Sequence, residues 1–224
     1  NGGTSFDYTM YYEAVPRDAL EKIFWIDSDR MGYMINTVTE AALEREKQVV
    51  KNEKRQRYDN APYGHTNTVL LRTLFPEGHP YSWSVIGSLE DLQAATLDDV
   101  KEFYERWYGA NNATLVVAGD FDPEVINPQI DPWFGEIRRG PDVEAPTPRP
   151  VSREERRSLW YPDNFATLPQ LTRSFRTVED FHDDSSALEV LATYLSGSKR
   201  SPLYRQIVAQ QQLAPSVGVY TVSL

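Results

Sequence analysis

Two kinds of apolar pattern along the chain predict its β-strands. Residues 3–15 alternate between polar and apolar positions and are rich in Thr, Tyr and Phe, which predicts a strand. Residues 113–120 form a continuous apolar run that stops at Gly119, which predicts a buried strand. Residues 166–178 and 215–224 carry similar patterns, so we expect two further strands in the last third of the chain.

Apolar residues spaced three or four positions apart predict amphipathic helices between these strands. The predicted helices begin near Pro16, Thr39, Thr96, Ser185 and Ser201. Thr39 and Thr96 are suitable N-cap residues, and Asp99 can complete a capping pair with Thr96. In the helix after Thr96, we expect the apolar stripe of Val100, Phe103 and Trp107 to face the core.

Strands and helices mix without a strict βαβ alternation, so we predict an α+β fold. We expect a mostly antiparallel sheet with helices packed on one face. Residues 138–157 contain four prolines and many charges, which is typical of a stiff linker. We therefore expect residues 1–137 to form most of a first unit, and residues 158–224 to begin a second, incomplete unit that repeats the same plan.

The predicted helix over residues 43–60 carries two carboxylates at an unusual spacing. Glu46 and Glu53 lie seven residues apart, nearly two helical turns, so they share one face with Val49 and Val50. In an ordinary charged surface helix, such carboxylates would only pair with nearby lysines and arginines. If instead the face is buried, each carboxylate needs a cation, a donor network or a metal. Zinc is one such metal, since it accepts carboxylate ligands beside histidines and a water.

Composition excludes several classes of partner. The net charge of −10 and the pI near 4.8 disfavour nucleic acid and anionic membrane surfaces. No apolar run approaches the roughly 20 residues that span a bilayer. With no cysteine, the chain offers neither a thiolate metal site nor a cysteine nucleophile. Cysteine-free chains occur in the cytosol and in the bacterial periplasm, and we expect the periplasm or secretion rather than the cytoplasm.

Other catalytic chemistry is sparse. The three histidines are His65, His79 and His182, and no two stand four residues apart, so the chain cannot form a helical histidine pair. We expect each to be a loop histidine that forms local hydrogen bonds. There is no Gly-x-Ser-x-Gly nucleophile motif and no phosphate-binding glycine loop.

Several segments, taken in order, resemble the insulinase-type zinc peptidases, a family that includes pitrilysin, insulin-degrading enzyme and mitochondrial processing peptidase. These segments are residues 4–16, 43–53, 78–92, 103–124 and 191–208, and the resemblance covers nearly the whole chain. The resemblance implies a zinc-dependent endopeptidase that hydrolyses peptides or small unfolded polypeptides. It also implies a second peptidase-like half, as a further domain or subunit. One alternative is a non-catalytic partner subunit of the same fold, which binds peptide or scaffolds a complex. Another is a plain structural α+β domain, which solvent-facing Glu46 and Glu53 would support.

The resemblance also assigns roles to residues. Glu53 matches the glutamate that completes the zinc site, and Glu46 matches a carboxylate that orients a ligand or a bound water. Family members carry an inverted His-x-x-Glu-His motif, which this sequence lacks. By family order the motif would precede Asn1, so we expect a fragment of a longer polypeptide, without the two histidine ligands and the general-base glutamate.

Two smaller implications concern other segments. Asn1, Gly2 and Gly3 match an edge strand that pairs with the backbone of the peptide substrate, although a flexible terminus would explain the glycines equally well. Pro128 and Pro132 fall where the family has a helix, and we expect that helix to be broken or short.

Overall fold

A computed structural model describes residues 1–144, 147, 149–151 and 155–222 of the 224-residue chain. It forms two compact units, Asn1–Pro169 and Gln170–Leu224. Residues 145, 146, 148 and 152–154 of the predicted linker lie outside the described residues, as do the last two residues of the strand predicted over 215–224. The predicted division into 1–137, 138–157 and 158–224 stays a prediction.

The N-terminal segment is a short hairpin instead of the single strand predicted over residues 3–15. Strands β1 (Gly2–Thr4) and β2 (Thr9–Tyr11) pair in antiparallel register, with Gly3 opposite Met10. The chain reverses between them, and the amide of Ser5 donates to the carbonyl of Tyr8 at 2.8 Å. The alternating pattern therefore identified extended backbone but missed the turn, because the turn residues continue the polar–apolar alternation.

The remaining predicted strands are not paired among the described residues, where β1 and β2 form the one sheet. Residues 113–120, residues 166–178 and the described part of 215–224 lack a strand ladder. Val116, Phe175 and Tyr220 in these segments are largely exposed to solvent. A strand needs a neighbouring backbone to satisfy its amides and carbonyls, and the described chain does not supply one. The predicted α+β class is confirmed in part, since helices combine with an antiparallel sheet that has two strands among the described residues. A larger sheet is not formed there, and the repeat of the plan in a second unit stays a prediction.

Helices make up most of the regular structure. In the first unit they are α1 (Leu20–Gly32), α2 (Glu40–Lys54), α3 (Thr66–Leu74), α4 (Leu89–Ala94), α5 (Leu97–Trp107) and α6 (Pro123–Phe134). A π-helical turn, Arg55–Asp59, continues α2. The second unit contains α7 (Ser185–Ser196) and a π-helical turn at Tyr204–Gln210. No helix in the described ranges has both the length and the apolar content needed to cross a membrane.

The predicted helix caps are confirmed at α2 and α5. Thr39 Oγ1 accepts a hydrogen bond from the amide of Ala42 at 3.2 Å. Thr96 and Asp99 form a reciprocal capping box at the start of α5. Each cap satisfies helix amides that would otherwise lack a partner. The start of α2 is thus determined by local sequence.

Helix α6 is an uninterrupted helix of 12 residues, although Pro128 and Pro132 both lie inside it. The expectation of a broken or short helix is wrong. Each proline removes one backbone donor, but packing against α1 compensates. Ile126 is buried, and the ring of Phe134 packs edge-on against Phe24 with 5.7 Å between the ring centroids.

The buried side of α5 is rotated by one residue from the predicted stripe of Val100, Phe103 and Trp107. Tyr104 is 3% exposed, whereas Phe103 is 59% exposed and Trp107 also reaches solvent. The hydroxyl of Tyr104 donates to the carbonyls of Arg30 and Met31 near the end of α1. A tyrosine can be buried at a helix end because its ring packs while its hydroxyl satisfies free carbonyls. The spacing of apolar residues alone does not predict such a buried tyrosine.

Candidate functional site

The two carboxylates of α2 lie on a face that the described chain leaves uncovered. Glu46 is exposed, Val49 is 55% exposed and the side chain of Glu53 is 39% exposed. The three residues share one side of the helix, as their spacing requires. The expectation that this face is buried is wrong for the described residues, because no other described element packs over it to exclude solvent.

The buried side of α2 is marked by a lysine. Lys47 is only 6% exposed. Its ammonium group lies 2.8 Å from Glu44 Oε1 and donates to the carbonyl of Gln93 at 3.3 Å, near the C-terminal end of α4. The hydrogen bond from Lys47 lowers the pKa of Glu44. Helix α2 therefore packs on α4 through the stem of a lysine, and this fixes which way Glu46 and Glu53 point.

Glu53 is held by an arginine one turn further along. Arg57 Nη1 lies 2.8 Å from Glu53 Oε1, and Arg57 belongs to the π-helical turn after α2. The pair is solvent-accessible, so its contribution to folding is small. The contact places the guanidinium of Arg57 beside the carboxylate of Glu53 on the exposed face of the helix. The i, i+4 spacing would have identified this pair in the sequence.

The histidines lie in three separate environments. His79 is buried; its Nδ1 accepts from the amide of Tyr81 at 3.1 Å, and its Nε2 lies 3.0 Å from the carbonyl of Arg149. Both ring nitrogens are therefore occupied by the backbone. His65 Nε2 lies 3.6 Å from Asp59 Oδ1. His182 Nδ1 accepts from the amide of Asp184 at 3.1 Å. The structure brings none of them together with Glu46 or Glu53 in a metal-binding group.

Helix α2 could supply only part of the donor set of a zinc site. A catalytic zinc normally uses three protein ligands and a water. Within the described ranges, no three His, Cys, Asp or Glu residues are grouped so that they could hold a metal. The carboxylate of Glu53 fits one ligand, and Glu46 lies two turns earlier on the same face. The other ligands of a zinc site are not among the described residues.

The hairpin presents an open strand edge. Asn1 and Tyr12 exchange two backbone hydrogen bonds, each at 3.0 Å. Strand β1 pairs with β2 on one side only within the described part of the chain. A Cβ atom added to Gly3 would meet no described atom within 4 Å, whereas one added to Gly2 would lie 3.3 Å from the Tyr11 ring.

One feature near the site was not predicted from the sequence. Asp163 accepts hydrogen bonds from the amides of Phe165, Ala166 and Tyr63, and these bonds lower its pKa, that from Phe165 most strongly. Tyr63 lies 100 positions away from Asp163 in the sequence. Only the short-range part, an Asp that accepts amides two and three residues later, has a sequence signal.

The comparisons with known proteins all indicate the same family. The family described as the peptidase M16 inactive domain matches residues 94–224. The chain is 28% identical to the zinc protease PqqE of Helicobacter pylori, over all of this chain and 50% of that protein. It is 24% identical to YmxG of Bacillus subtilis, named an uncharacterized zinc protease, over 98% of this chain and 52% of that protein. A mitochondrial-processing peptidase β subunit of Saccharomyces cerevisiae is 24% identical over 66% of the chain and 30% of that protein.

Solved structures agree with this relationship. The crystal structure of a protease from Helicobacter pylori matches with a TM-score of 0.81 and 26% identity, over 100% of this chain and 54% of that chain. An M16 inactive domain from Pseudomonas fluorescens matches with a TM-score of 0.71 and 15% identity over 93% of this chain, which supports the fold alone. The chain thus spans about half the length of the first two curated relatives. By the family match over more than half its length, it belongs to the M16 peptidases, the insulinase and pitrilysin family.

Proposed function

We propose that the full-length protein is a zinc-dependent endopeptidase that hydrolyses peptides or small unfolded polypeptides, and that Glu53 is one of its zinc ligands. The observation that carries the proposal is the exposed face of α2, on which Glu46 and Glu53 remain open to a further group. The names of the relatives support zinc as that group. When bound, zinc would polarise the scissile carbonyl and lower the pKa of a bound water.

The residues of this chain would position the metal and leave proton transfer to others. Glu53 would donate a carboxylate oxygen, and Arg57 would keep that carboxylate aligned. Glu46 would orient a ligand or a bound water from the same face. We propose that the two histidines and the general-base glutamate lie in a further segment of the polypeptide or in a second chain. The greater length of the relatives supports a second peptidase-like half.

We further propose that the open edge of β1 binds the substrate backbone. An extended peptide can add as a strand to a free edge, and the added backbone hydrogen bonds would hold it without regard to its sequence. Asn1, Gly2 and Gly3 form the start of this edge. The open space beside Gly3 is compatible with the proposal, because side chains of an added strand would lie on that face of the sheet.

A second candidate is a partner subunit that binds peptide or scaffolds a complex without catalysis. One observation favours it: the family matched over residues 94–224 is described as an inactive domain, and that range contains neither Glu46 nor Glu53. The two candidate functions differ in whether the carboxylates of α2 bind a metal.

The test is metal-dependent hydrolysis by the full-length protein. We expect hydrolysis of an unstructured fluorogenic peptide, loss of hydrolysis after removal of the metal with a chelator, and recovery on addition of zinc. A protein that contains no zinc and does not cleave, yet binds the same peptide, would support the partner subunit. Hydrolysis that persists in a metal-free protein would exclude the zinc mechanism.

A further inference from the structure

A later segment of the first unit is bonded to the loop that follows the Glu53 helix. Asp163 Oδ2 accepts from the amide of Tyr63 at 2.9 Å, and the hydroxyl of Tyr63 donates to the carbonyl of Leu168 at 2.6 Å. The hydroxyls of Thr66 and Tyr161 lie 2.5 Å apart. We call these three contacts the 63–163 clamp. Each joins positions about a hundred residues apart in the sequence.

The clamp is organised around one carboxylate. Asp163 Oδ1 accepts from the amides of Phe165 and Ala166 at 2.8 and 2.7 Å, which leaves Oδ2 directed at Tyr63. Tyr63 has a φ of +59°, a left-handed conformation that residues other than glycine seldom adopt. Such a conformation persists only where the surroundings impose it. The hydrogen bond from the Tyr63 amide to Asp163 is one of the contacts that hold this conformation.

The loop that contains Tyr63 and Gly64 contacts the π-helical turn that carries Arg57. A Cβ atom added to Gly64 would lie 2.1 Å from the carbonyl oxygen of Tyr58, so the backbones of the loop and the turn are in direct contact. Tyr58 follows Arg57, whose guanidinium lies 2.8 Å from Glu53. The contacts thus run continuously from Asp163 through Tyr63, Gly64 and the turn to the Glu53 carboxylate. Short π-helical turns within helices are frequent at functional sites.

We propose that Asp163 is a positioning residue for the metal centre. By fixing the left-handed turn at Tyr63, it sets the π-helical turn and Arg57, and through them the direction of the Glu53 carboxylate. This inference rests on the proposed role of Glu53 as a zinc ligand. It adds a residue that lies far from α2 in the sequence and outside the segment that carries both carboxylates.

The substitution Asp163→Asn separates this role from local stability. The remaining carbonyl oxygen can still accept from Phe165 and Ala166, while the amide group that replaces Oδ2 meets the Tyr63 amide donor to donor. The matched control is Asp122→Asn. Asp122 also accepts an amide two residues later, that of Glu124 at 2.9 Å, but it caps α6 and does not contact the loop or turn of the clamp. Tyr63→Phe is a milder second variant that removes only the bond to Leu168.

Two measurements on the full-length protein decide the matter: zinc affinity by competition with a chelator, and the melting temperature of the metal-free protein. We expect Asp163→Asn to weaken zinc binding roughly threefold to tenfold, the range typical of residues coupled through packed contacts. Tyr63→Phe should weaken it less, and Asp122→Asn should leave zinc affinity at the parent value even where its melting temperature falls.

Equal zinc affinity in Asp163→Asn and the parent would overturn the proposal. An equal loss in Asp163→Asn and Asp122→Asn would also overturn it, since the effect would then be one of general stability. If Asp163→Asn does not fold, Tyr63→Phe decides: parental zinc affinity in that variant contradicts the clamp. A parent protein that binds no zinc would instead refute the proposed function, and that failure is visible before any variant is made.

Discussion

The two faces of α2 differ in a way that the hydrophobic pattern does not anticipate. One face buries Lys47, whose ammonium group reaches Glu44 and the carbonyl of Gln93. The other leaves Val49 in solvent between Glu46 and Glu53. A helix buries the side for which the chain offers a neighbour, and here that neighbour is α4. The exposed face of α2 is the side for which the described residues supply no neighbour.

Apart from loss of the proposed ligand Glu53 itself, the largest effect is expected from Glu46→Gln in the full-length protein. Glu46 lies two turns before Glu53, so its removal should weaken an outer contact of the metal centre and leave the ligand in place. We expect zinc affinity or peptidase activity to fall about 10–100-fold, as is usual for residues that orient ligands. Chelator competition and peptide hydrolysis measure the two quantities. Unchanged affinity and activity would place Glu46 among ordinary surface residues.

On the opposite face, Lys47→Ala should reduce stability without affecting the metal. It removes a buried stem and leaves the carbonyl of Gln93 without its donor, which we expect to cost about 1–2 kcal/mol. Lys47→Met retains most of the stem and serves as the control, with a smaller loss. Urea denaturation measures the free energy of unfolding. A loss of zinc affinity in Lys47→Ala at unchanged stability would contradict the division between the two faces.

A third prediction concerns the strand edge. Gly3→Ala adds a methyl group where no described atom lies within 4 Å, so the melting temperature should not fall. The methyl group points out of the sheet plane, toward the side chains of a peptide added at this edge, so it should raise KM several-fold while kcat changes less. Steady-state kinetics with peptides of different length would show this. An unchanged KM would remove β1 from the peptide-binding surface.

The smallest expected effect is on stability at acid pH. Hydrogen bonds from backbone amides lower the pKa of Asp163, so its contribution to folding is present above its ordinary pKa of 3.8 and is lost as the pH falls through the lowered value. Asp163→Asn should therefore flatten the acid side of the melting-temperature profile. A profile parallel to that of the parent would show that Asp163 makes no such contribution.

Asp27 provides a control of opposite sign. Burial, followed by the nearby charge of Glu13, raises its pKa above 3.8. The folded state then binds more protons than the unfolded state, and stability falls as the pH rises from 3.8 through the raised value. Asp27→Asn should remove that decrease, and melting curves between pH 3 and 6 would separate the two aspartates.

Local sequence predicted the parts of this structure that local interactions determine. The caps at Thr39 and Thr96 and the shared face of Glu46 and Glu53 depend on residues within two turns of one another. The burial of Lys47 did not follow from the pattern, because it depends on where α4 lies. The buried side of α5 was predicted wrongly for a similar reason. Tyr104 is buried there because α5 lies beside the end of α1, where its hydroxyl donates to two backbone carbonyls.

The sheet and the 63–163 clamp show the limits of sequence reasoning most clearly. An apolar run such as residues 113–120 indicates a strand only if a second backbone pairs with it, and a single sequence does not say where that backbone comes from. Asp163 and Tyr63 are 100 positions apart, and no local spacing links them. Long-range contacts of this kind are determined by the assembled fold, so only the structure reveals them.

The most direct test of the central claim is the zinc content of the full-length Glu53→Gln variant, measured by mass spectrometry under native conditions beside the parent. A neutral amide is a poor zinc ligand, so the account predicts about one zinc per parent chain, and loss of both zinc and peptide hydrolysis in the variant. Full zinc content and full activity in Glu53→Gln would contradict it, and α2 would then be only a charged surface helix.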